Sequence, residues 1–542
     1  MRSFKFGPGA LAGGVALFFV LAFNSTLWGH ILKIVKPQNL TDWLFLASFF
    51  VFQAATYFFV LRVFSFPFVL KPVAAILIIV AAATAHFMAE YGAVIDLNMI
   101  RNILQTDPAE ARDLINWGTI VHVLGYGILP ALAVILAPIA WPAWKPLLRA
   151  NVAGAAGALA LVGGSVALFS GAYFSILREQ HEVELSFTPA NVVMAVGKLA
   201  IRTMREYSGP IASLGVDAHI ELAASPPARP RVTVVVVGET ARAANFSLLG
   251  YARETNPELK KIADLVPFPQ VSSCGTDTAH SVPCMFSGLT REKYTRAAFQ
   301  RRENLLDVVK HAGLDVTWIE NQGGCKGVCA RVPTVTLTKL TDPRFCVDGE
   351  CHDEILLDGL EQRIAAMSKG GVLVLHMMGS HGPAYYKRVP RQFARFQPTC
   401  QTSQFSKCTT EEIVNSYDNT ILYTDHVLAR LVDVLRKSSQ SGFDTMMLYV
   451  SDHGESLGEN GVYLHAMPYF IAPREQRHVP MVMWLSPGAE QSLAMKENCL
   501  RDLALDGQFS HDNLFHTVLG VHDIRTSVYD ADLDMFRHCR SS

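Results

Sequence analysis

No cysteine occurs before residue 274 of this 542-residue chain, and only 16 of its 95 Lys, Arg, Asp and Glu residues lie within the first 175. A segment so poor in charge cannot present an ordinary water-facing surface. Apart from Arg62, its apolar runs also lack the charged residues expected along a transporter's substrate path. The whole chain has almost no net charge, 47 basic residues against 48 acidic ones giving −1 at pH 7. That excludes the strong field of a nucleic-acid binder, so no nucleic-acid partner is expected. There is no internal repeat and no low-complexity tract.

What the charge-poor part does contain is five hydrophobic runs: Gly9–Leu27, Trp43–Val63, Val73–Ala89, Val121–Ala140 and Val152–Phe174. Each is about long enough to cross a hydrocarbon core of roughly 30 Å as a helix. Further runs follow the first, which argues against a cleaved signal peptide. With the N-terminus in the cytoplasm, the inner segments carry Arg2, Lys5, Arg62, Lys71, Lys145 and Arg149, and the outer ones Lys33, Lys36, Arg101 and Arg112. The bias has the expected sign.

The cysteines agree with that orientation. All ten lie beyond the last run, at 274, 284, 325, 329, 346, 351, 400, 408, 499 and 539. An even set confined to one region reads as a disulfide framework in an oxidising compartment. Five spans starting inside deliver that region outside. The alternative is reduced cysteines or a structural zinc around Cys325 and Cys329. Spacing alone does not fix connectivity, but it suits sequential pairing: Cys274–Cys284, Cys325–Cys329, Cys346–Cys351, Cys400–Cys408 and Cys499–Cys539.

Three parts are therefore expected: a membrane domain over 1–175, a bridging segment over 176–228 and an α/β domain over 229–542. Within the bridge, Pro189–Tyr207 spaces its apolar residues as an amphipathic helix suited to a membrane surface or to ordinary packing. Ser225–Pro230 reads as a linker. Beyond it, the uninterrupted apolar runs Thr233–Val237, Val372–His376 and Thr445–Val450 alternate with helical stretches, the pattern of a mostly parallel sheet covered on both faces. Ligands gather at the carboxyl ends of such strands. Glu239, His381 and the Asp452-His453 pair fall there.

Glu239, Asp452 and His453 are ligand types that zinc accepts, and three protein ligands leave a position for a reactant. A hydroxyl becomes a useful nucleophile when it is deprotonated or bound to a cation. Thr278 lies in Cys274-Gly-Thr-Asp-Thr-Ala-His-Ser-Val-Pro-Cys284, where a helix start would turn N–H groups toward phosphoryl oxygens. On composition alone, Thr276 and Ser281 compete with it.

Several motifs together resemble a known family: Val237-Gly-Glu-Thr-Ala-Arg-Ala-Ala-Asn-Phe246, Cys274-Gly-Thr-Asp-Thr-Ala-His-Ser-Val-Pro-Cys-Met285, Gly324-Cys-Lys-Gly-Val-Cys329, Ser380-His-Gly-Pro-Ala-Tyr-Tyr386, Ser451-Asp-His-Gly-Glu-Ser-Leu-Gly458 and Tyr463-Leu-His465. Over essentially its whole length the chain resembles the lipid A phosphoethanolamine transferases of Gram-negative bacteria, which include the mobile colistin-resistance enzymes. The resemblance implies five transmembrane helices followed by an α/β domain like those of the alkaline phosphatase and sulfatase superfamily. It implies an inner-membrane protein with a periplasmic catalytic domain, acting as a monomer. Thr278 would be the nucleophile, and Glu239, Thr278, Asp452 and His453 would hold zinc, one ion tightly, with a second during turnover left open. Lys326, His381 and His465 match positions that bind phosphate or extra zinc, or donate protons. Asn102, Thr106 and Glu110 match a segment that positions the ethanolamine head. Pro108 breaks any helix through them, and Glu110 also fits the third position of a new one.

The implied reaction takes phosphoethanolamine from phosphatidylethanolamine onto Thr278 and then onto a lipid A phosphate. Masking that charge weakens the attraction of polymyxins. Rival readings are a transferase with another acceptor, a core sugar or a protein, and a non-catalytic membrane sensor on a hydrolase fold. A sulfatase fits less well, because Cys284-Met-Phe-Ser departs from the Cys-x-Pro-x-Arg pattern of that chemistry.

Overall fold

A computed structural model describes residues 5–106, 108–179, 181–206, 210–220, 229–347 and 349–541. The chain divides into two compact units, Met1–Arg101 with Leu114–Arg202, and Asn102–Asp113 with Thr203–Ser542.

The first unit is helical. Leu40–Val63, Leu70–Tyr91, Trp117–Leu136 and Trp144–Leu168 are each long and apolar enough to cross a membrane, and a bent pair makes a fifth candidate span. Their bounds differ from the apolar runs for local reasons. Asn39 and Asp42 form a reciprocal capping box that starts the first of these helices ahead of Trp43. Asn116 caps the third by accepting the Thr119 N–H at 3.0 Å, and Pro138 follows closely on its end. The Trp144–Leu168 helix breaks at Phe169, before a new helix over Ser170–Glu179.

The first expected span requires a correction. It is Pro8–Phe23 and Ser25–Val35, bent by 67° at Asn24. The fully buried Asn24 amide donates to the carbonyls of Phe19 and Thr188 at 2.8 and 2.9 Å, and its oxygen accepts the Thr188 N–H at 3.1 Å. A polar side chain without water must find such partners, and meeting them turns the chain out of a straight helix. Small residues let the helices approach, Ala74, Ala81 and Ala82 lying buried beside Phe19 and Tyr57. Leu136, Leu161 and Leu168 are exposed, an arrangement suited to apolar surroundings. The amphipathic helix spans Ala190–Glu206, with Val193 and Val196 exposed.

The second unit is built on a seven-stranded sheet. In chain order its strands are β1 (Arg231–Gly238), β2 (Val266–Phe268), β3 (Asp315–Glu320), β4 (Thr334–Thr336), β5 (Gly371–His376), β6 (Asp444–Ser451) and β7 (Met481–Leu485). Their order across the sheet is β2-β7-β6-β1-β5-β3-β4. The run from β6 to β4 is parallel, and only β7 pairs antiparallel, with β6 and β2. Strands β1, β5 and β6 are buried along their full length, which is why they read as continuous apolar runs rather than alternating ones. One face packs Val235, Val237, Trp318 and Leu448 against helices Thr278–Phe286, Leu305–His311 and Asp512–Val521.

The ten cysteines form five bonds: Cys274–Cys284, Cys325–Cys329, Cys346–Cys351, Cys400–Cys408 and Cys499–Cys539.

Trp318 shows how tightly this core is specified. It is fully buried, its indole N–H donates to Glu320 Oε2 at 2.6 Å, and its ring meets Phe286 edge-on. Trp318→Ala is expected to cost about 3–5 kcal/mol, seen as a lower melting temperature of the detergent-solubilised chain. Val347→Ala, at an exposed position, serves as the neutral reference. Equal melting temperatures would refute the core assignment of Trp318.

Candidate active site

The parallel register of β1 and β6 creates the site. Gly238 pairs with Ser451, so the next residue on each strand, Glu239 and Asp452, emerges at the same sheet edge. Two close approaches require glycine here. A Cβ on Gly238 would lie 2.6 Å from the Tyr449 ring, and one on Gly379, at φ 54°, would lie 2.6 Å from the Glu239 carbonyl oxygen.

Glu239, Asp452 and His453 are fully buried, with ligand atoms all within 4.8 Å of one another. The His453 Nδ1–H donates to the Gly454 carbonyl at 2.9 Å, which turns Nε2 toward the carboxylates. From there Nε2 lies 3.4 Å from both Glu239 Oε1 and Asp452 Oδ2. Asp452 Oδ1 accepts the N–H groups of Thr240 and His453 at 3.1 and 2.7 Å, while its buried Oδ2 has no hydrogen-bond partner.

The charges explain the protonation. Burial raises the Asp452 carboxyl, and the neighbouring Glu239 charge raises it further. Burial acts the same way on Glu239, but hydrogen bonding and charge from His453 outweigh it and hold that carboxyl below its ordinary value. Burial would lower His453, yet the two carboxylates push it up to about 10. Left to itself, the cluster draws a proton to its imidazole.

Thr278 opens the helix Thr278–Phe286, and Asp277 caps it by accepting the His280 N–H at 3.0 Å. The Thr278 hydroxyl lies 3.3 and 3.2 Å from Glu239 Oε1 and Oε2 and 3.3 Å from His453 Nε2. Its competitors are engaged elsewhere. Thr276 donates to the Met467 carbonyl at 2.6 Å, and Ser281 Oγ accepts the Gly275 N–H at 2.9 Å.

A narrow cavity of about 40 Å³ opens beside Thr278, lined also by Asn102, Thr106, Lys326, His381 and His465. The structure thus brings five of the six expected substrate-facing residues together with the expected nucleophile. The sixth, Glu110, belongs to the helix Pro108–Leu114, but its side chain lies outside the described residues, as does Asp107. Thr106 donates its hydroxyl back to the Asn102 carbonyl at 2.8 Å. His465 Nδ1 is 2.8 Å from the buried Glu455 carboxylate, and its ring stands 4.4 Å from that of His453. Lys326 adopts φ 50° within the loop closed by Cys325–Cys329, a strained conformation of the kind kept where a side chain must be aimed.

Three features were not anticipated from sequence. Gln322 is buried on the Thr278 cavity, and its Oε1 has no partner; its place just ahead of the Cys325 loop was the available signal. His511, lowered to about 4 by burial, accepts the Cys274 N–H at Nδ1 (3.0 Å) and donates from Nε2 to the Ser451 carbonyl (2.9 Å). It thereby ties the Thr278 loop to β6. His376 ends β5, paired with the buried Glu320 at 3.0 Å. No spacing in the chain marks either contact.

A buried oxygen without a partner, two carboxylates and an imidazole aimed between them suit a divalent cation well. Such a set would hold a divalent metal ion, with the Thr278 oxygen at the open side.

A mostly parallel sheet with its acidic and histidine residues at the strand ends defines an alkaline phosphatase or sulfatase type of domain, here with a helical membrane unit. The comparisons agree. Residues 231–524 match the Sulfatase family and residues 53–204 match the family Phosphoethanolamine transferase EptA/EptB. The chain is 41% identical over 531 residues to phosphoethanolamine transferase EptA of Escherichia coli, covering 97% of this chain and 96% of that one. It is 37% identical over 525 residues to phosphatidylethanolamine transferase Mcr-1 of Escherichia coli, covering 95% of each. The solved lipooligosaccharide phosphoethanolamine transferase A of Neisseria meningitidis superimposes with a TM-score of 0.96 at 37% identity, over 99% of this chain and 100% of that one. The chain belongs to the EptA and Mcr family of phosphoethanolamine transferases.

The cluster makes a prediction about metal. Elemental analysis of the purified chain should find bound divalent metal, and both chelation and Asp452→Ala should remove it and lower the melting temperature. Because the carboxylates raise His453 to about 10, a cation binding there at lower pH must displace a proton. Apparent affinity should therefore fall by about tenfold per unit of acidification. Affinity independent of pH between 6 and 8 would refute that coordination.

Proposed function

We propose that this chain transfers phosphoethanolamine from phosphatidylethanolamine to a phosphate of lipid A through a phosphothreonine ester at Thr278. The carrying observation is the Thr278 hydroxyl, at a helix N-terminus and 3.2–3.3 Å from Glu239 and His453. No other hydroxyl of that loop faces the cluster.

In the first half-reaction, the Thr278 hydroxyl gives up its proton to solvent and its Oγ1 bonds to the donor's phosphorus as the bond from phosphorus to the glycerol oxygen breaks. The departing oxygen takes a proton and leaves as diacylglycerol. His465, held by Glu455 at the cavity wall, is placed to supply that proton, and His381 stands beside it with ring centroids 5.6 Å apart. Lys326 and the first N–H groups of the Thr278 helix meet the phosphoryl oxygens. Asn102, Thr106 and Glu110 orient the ethanolamine. In the second half-reaction, a phosphate oxygen of lipid A attacks the same phosphorus and frees Thr278. Zinc, held by Glu239, Asp452, His453 and Thr278, would lower the hydroxyl's pKa and offset charge developing on the phosphoryl group.

We assign residues 1–175 to the inner membrane of a Gram-negative bacterium with the N-terminus cytoplasmic, 176–228 to a bridge with an interfacial helix, and 229–542 to a periplasmic catalytic domain, acting as a monomer. The distribution of basic residues and the confinement of all cysteines to the last part support this. The product carries an added ammonium in place of exposed phosphate charge, which would weaken polymyxin binding.

The test is mass spectrometry of lipid A from a polymyxin-sensitive host expressing the chain. One added phosphoethanolamine is expected with the wild type, and none with Thr278→Ala, for which activity should fall by at least about 10³-fold. Unmodified lipid A from well-folded wild-type protein would overturn the acceptor assignment.

A further inference from the structure

Beside the Thr278 cavity lies a larger one of about 480 Å³, and Gln105 and Lys326 line both. Four of its eleven lining residues are basic and none is acidic. Arg331 is already neutralised by a two-point bond to Asp307 at 2.8 and 2.6 Å. The other three have no carboxylate partner among the described residues. Arg296 donates to the carbonyl of Ala279, the residue after Thr278, at 2.8 Å. Lys326 donates to the Gly323 carbonyl at 3.0 Å. Arg302 is half-buried, and burial works against its charged form. Cations collected in a concavity without counter-charge are costly until an anion arrives.

The donor does not supply that anion. Phosphatidylethanolamine has one phosphorus centre, which must lie at Thr278 Oγ1 to react, and the rest of its polar part is an ammonium and neutral esters. An acceptor also brings its attacking phosphate to Thr278, but a second anion on the same molecule would reach the neighbouring cavity. Guanidinium groups suit it, since their planar fork matches phosphate and carboxylate oxygens.

We propose that this basic cavity is the subsite for a second anionic group on the acceptor, a phosphate or a sugar carboxylate, with Arg302 and Arg296 as its recognition side chains. The proposal rests on the transfer reaction set out above. It makes the acceptor a polyanionic glycolipid, recognised at two points.

The experiment uses the purified full-length enzyme, a phosphatidylethanolamine donor, and three acceptors: bisphosphorylated lipid A, its monophosphoryl form, and the monophosphoryl form carrying an acidic sugar. Diacylglycerol release is followed separately, because it reads the donor half-reaction alone. The wild type should show a KM about tenfold lower for a doubly anionic acceptor than for the monophosphoryl one. Which of the two doubly anionic acceptors gains identifies the group. Arg302→Gln should erase that advantage while leaving kcat, the monophosphoryl KM and diacylglycerol release unchanged, and Arg302→Lys should restore part of it. One KM for all three acceptors in the wild type, a comparison that needs no variant to fold, would overturn the subsite alone. So would an Arg302→Gln enzyme that weakens every acceptor equally. Diacylglycerol release with transfer to no acceptor would overturn the acceptor reading and this subsite together.

Discussion

Two carboxylates, Glu239 and Asp452, emerge side by side from neighbouring parallel strands with no exposure to water. Like charges about 4 Å apart repel by about 4 kcal/mol even at an effective dielectric of 20, before any cost of desolvation is counted. Such a pair persists only where positive charge is supplied. A proton on His453 or a cation would supply it, and Asp452 Oδ2, buried without a hydrogen-bond partner, faces the space between the carboxylates and the imidazole. The surrounding architecture keeps this costly arrangement from relaxing. The β1–β6 register sets the carboxylates, Gly379 lets the β5 loop pass against Glu239, and the Gly454 carbonyl fixes the His453 tautomer.

The same constraint bears on which hydroxyl can serve as the proposed nucleophile. A hydroxyl is useful only where its proton can be lost and its oxygen shielded, and one of the three candidates in the Cys274–Cys284 loop reaches such a place. The loop has no sheet of its own to hold it. Its rigidity comes from the disulfide, from the Asp277 cap and from His511, which joins the Cys274 N–H to the Ser451 carbonyl. Lys326 is fixed in a comparable way by Cys325–Cys329. The disulfides nearest the chemistry thus rigidify loops at the sheet's carboxyl edge, where packing alone gives little support.

The parts legible in the sequence are those set by local pattern. Buried strands read as β-branched runs, so the positions of Glu239, His381 and Asp452 at strand ends follow from the sequence alone. Span existence was equally legible, because hydropathy over twenty residues needs no partner. What escaped depended on contacts between distant residues. Asn24 bends its helix through Thr188, 164 positions away, and His511 reaches Cys274 across 237. Composition could not separate Thr278 from Thr276 and Ser281, since the difference lies in what each hydroxyl touches. Polar caps at Asn39 and Asn116 moved helix starts outward from the apolar runs, because a hydropathy pattern does not register capping.

The size of the Thr278 cavity bears on the order of events. At about 40 Å³ it is far narrower than the neighbouring cavity of about 480 Å³. A direct transfer from donor to acceptor would need two phosphate-bearing lipid heads beside the Thr278 hydroxyl at once. The proposed relay, in which Thr278 would keep the phosphoethanolamine while one lipid left and the other entered, would remove that requirement. Burial of Glu239, Asp452 and His453 would limit water at the phosphorus of such an ester and let it outlast the exchange of lipids.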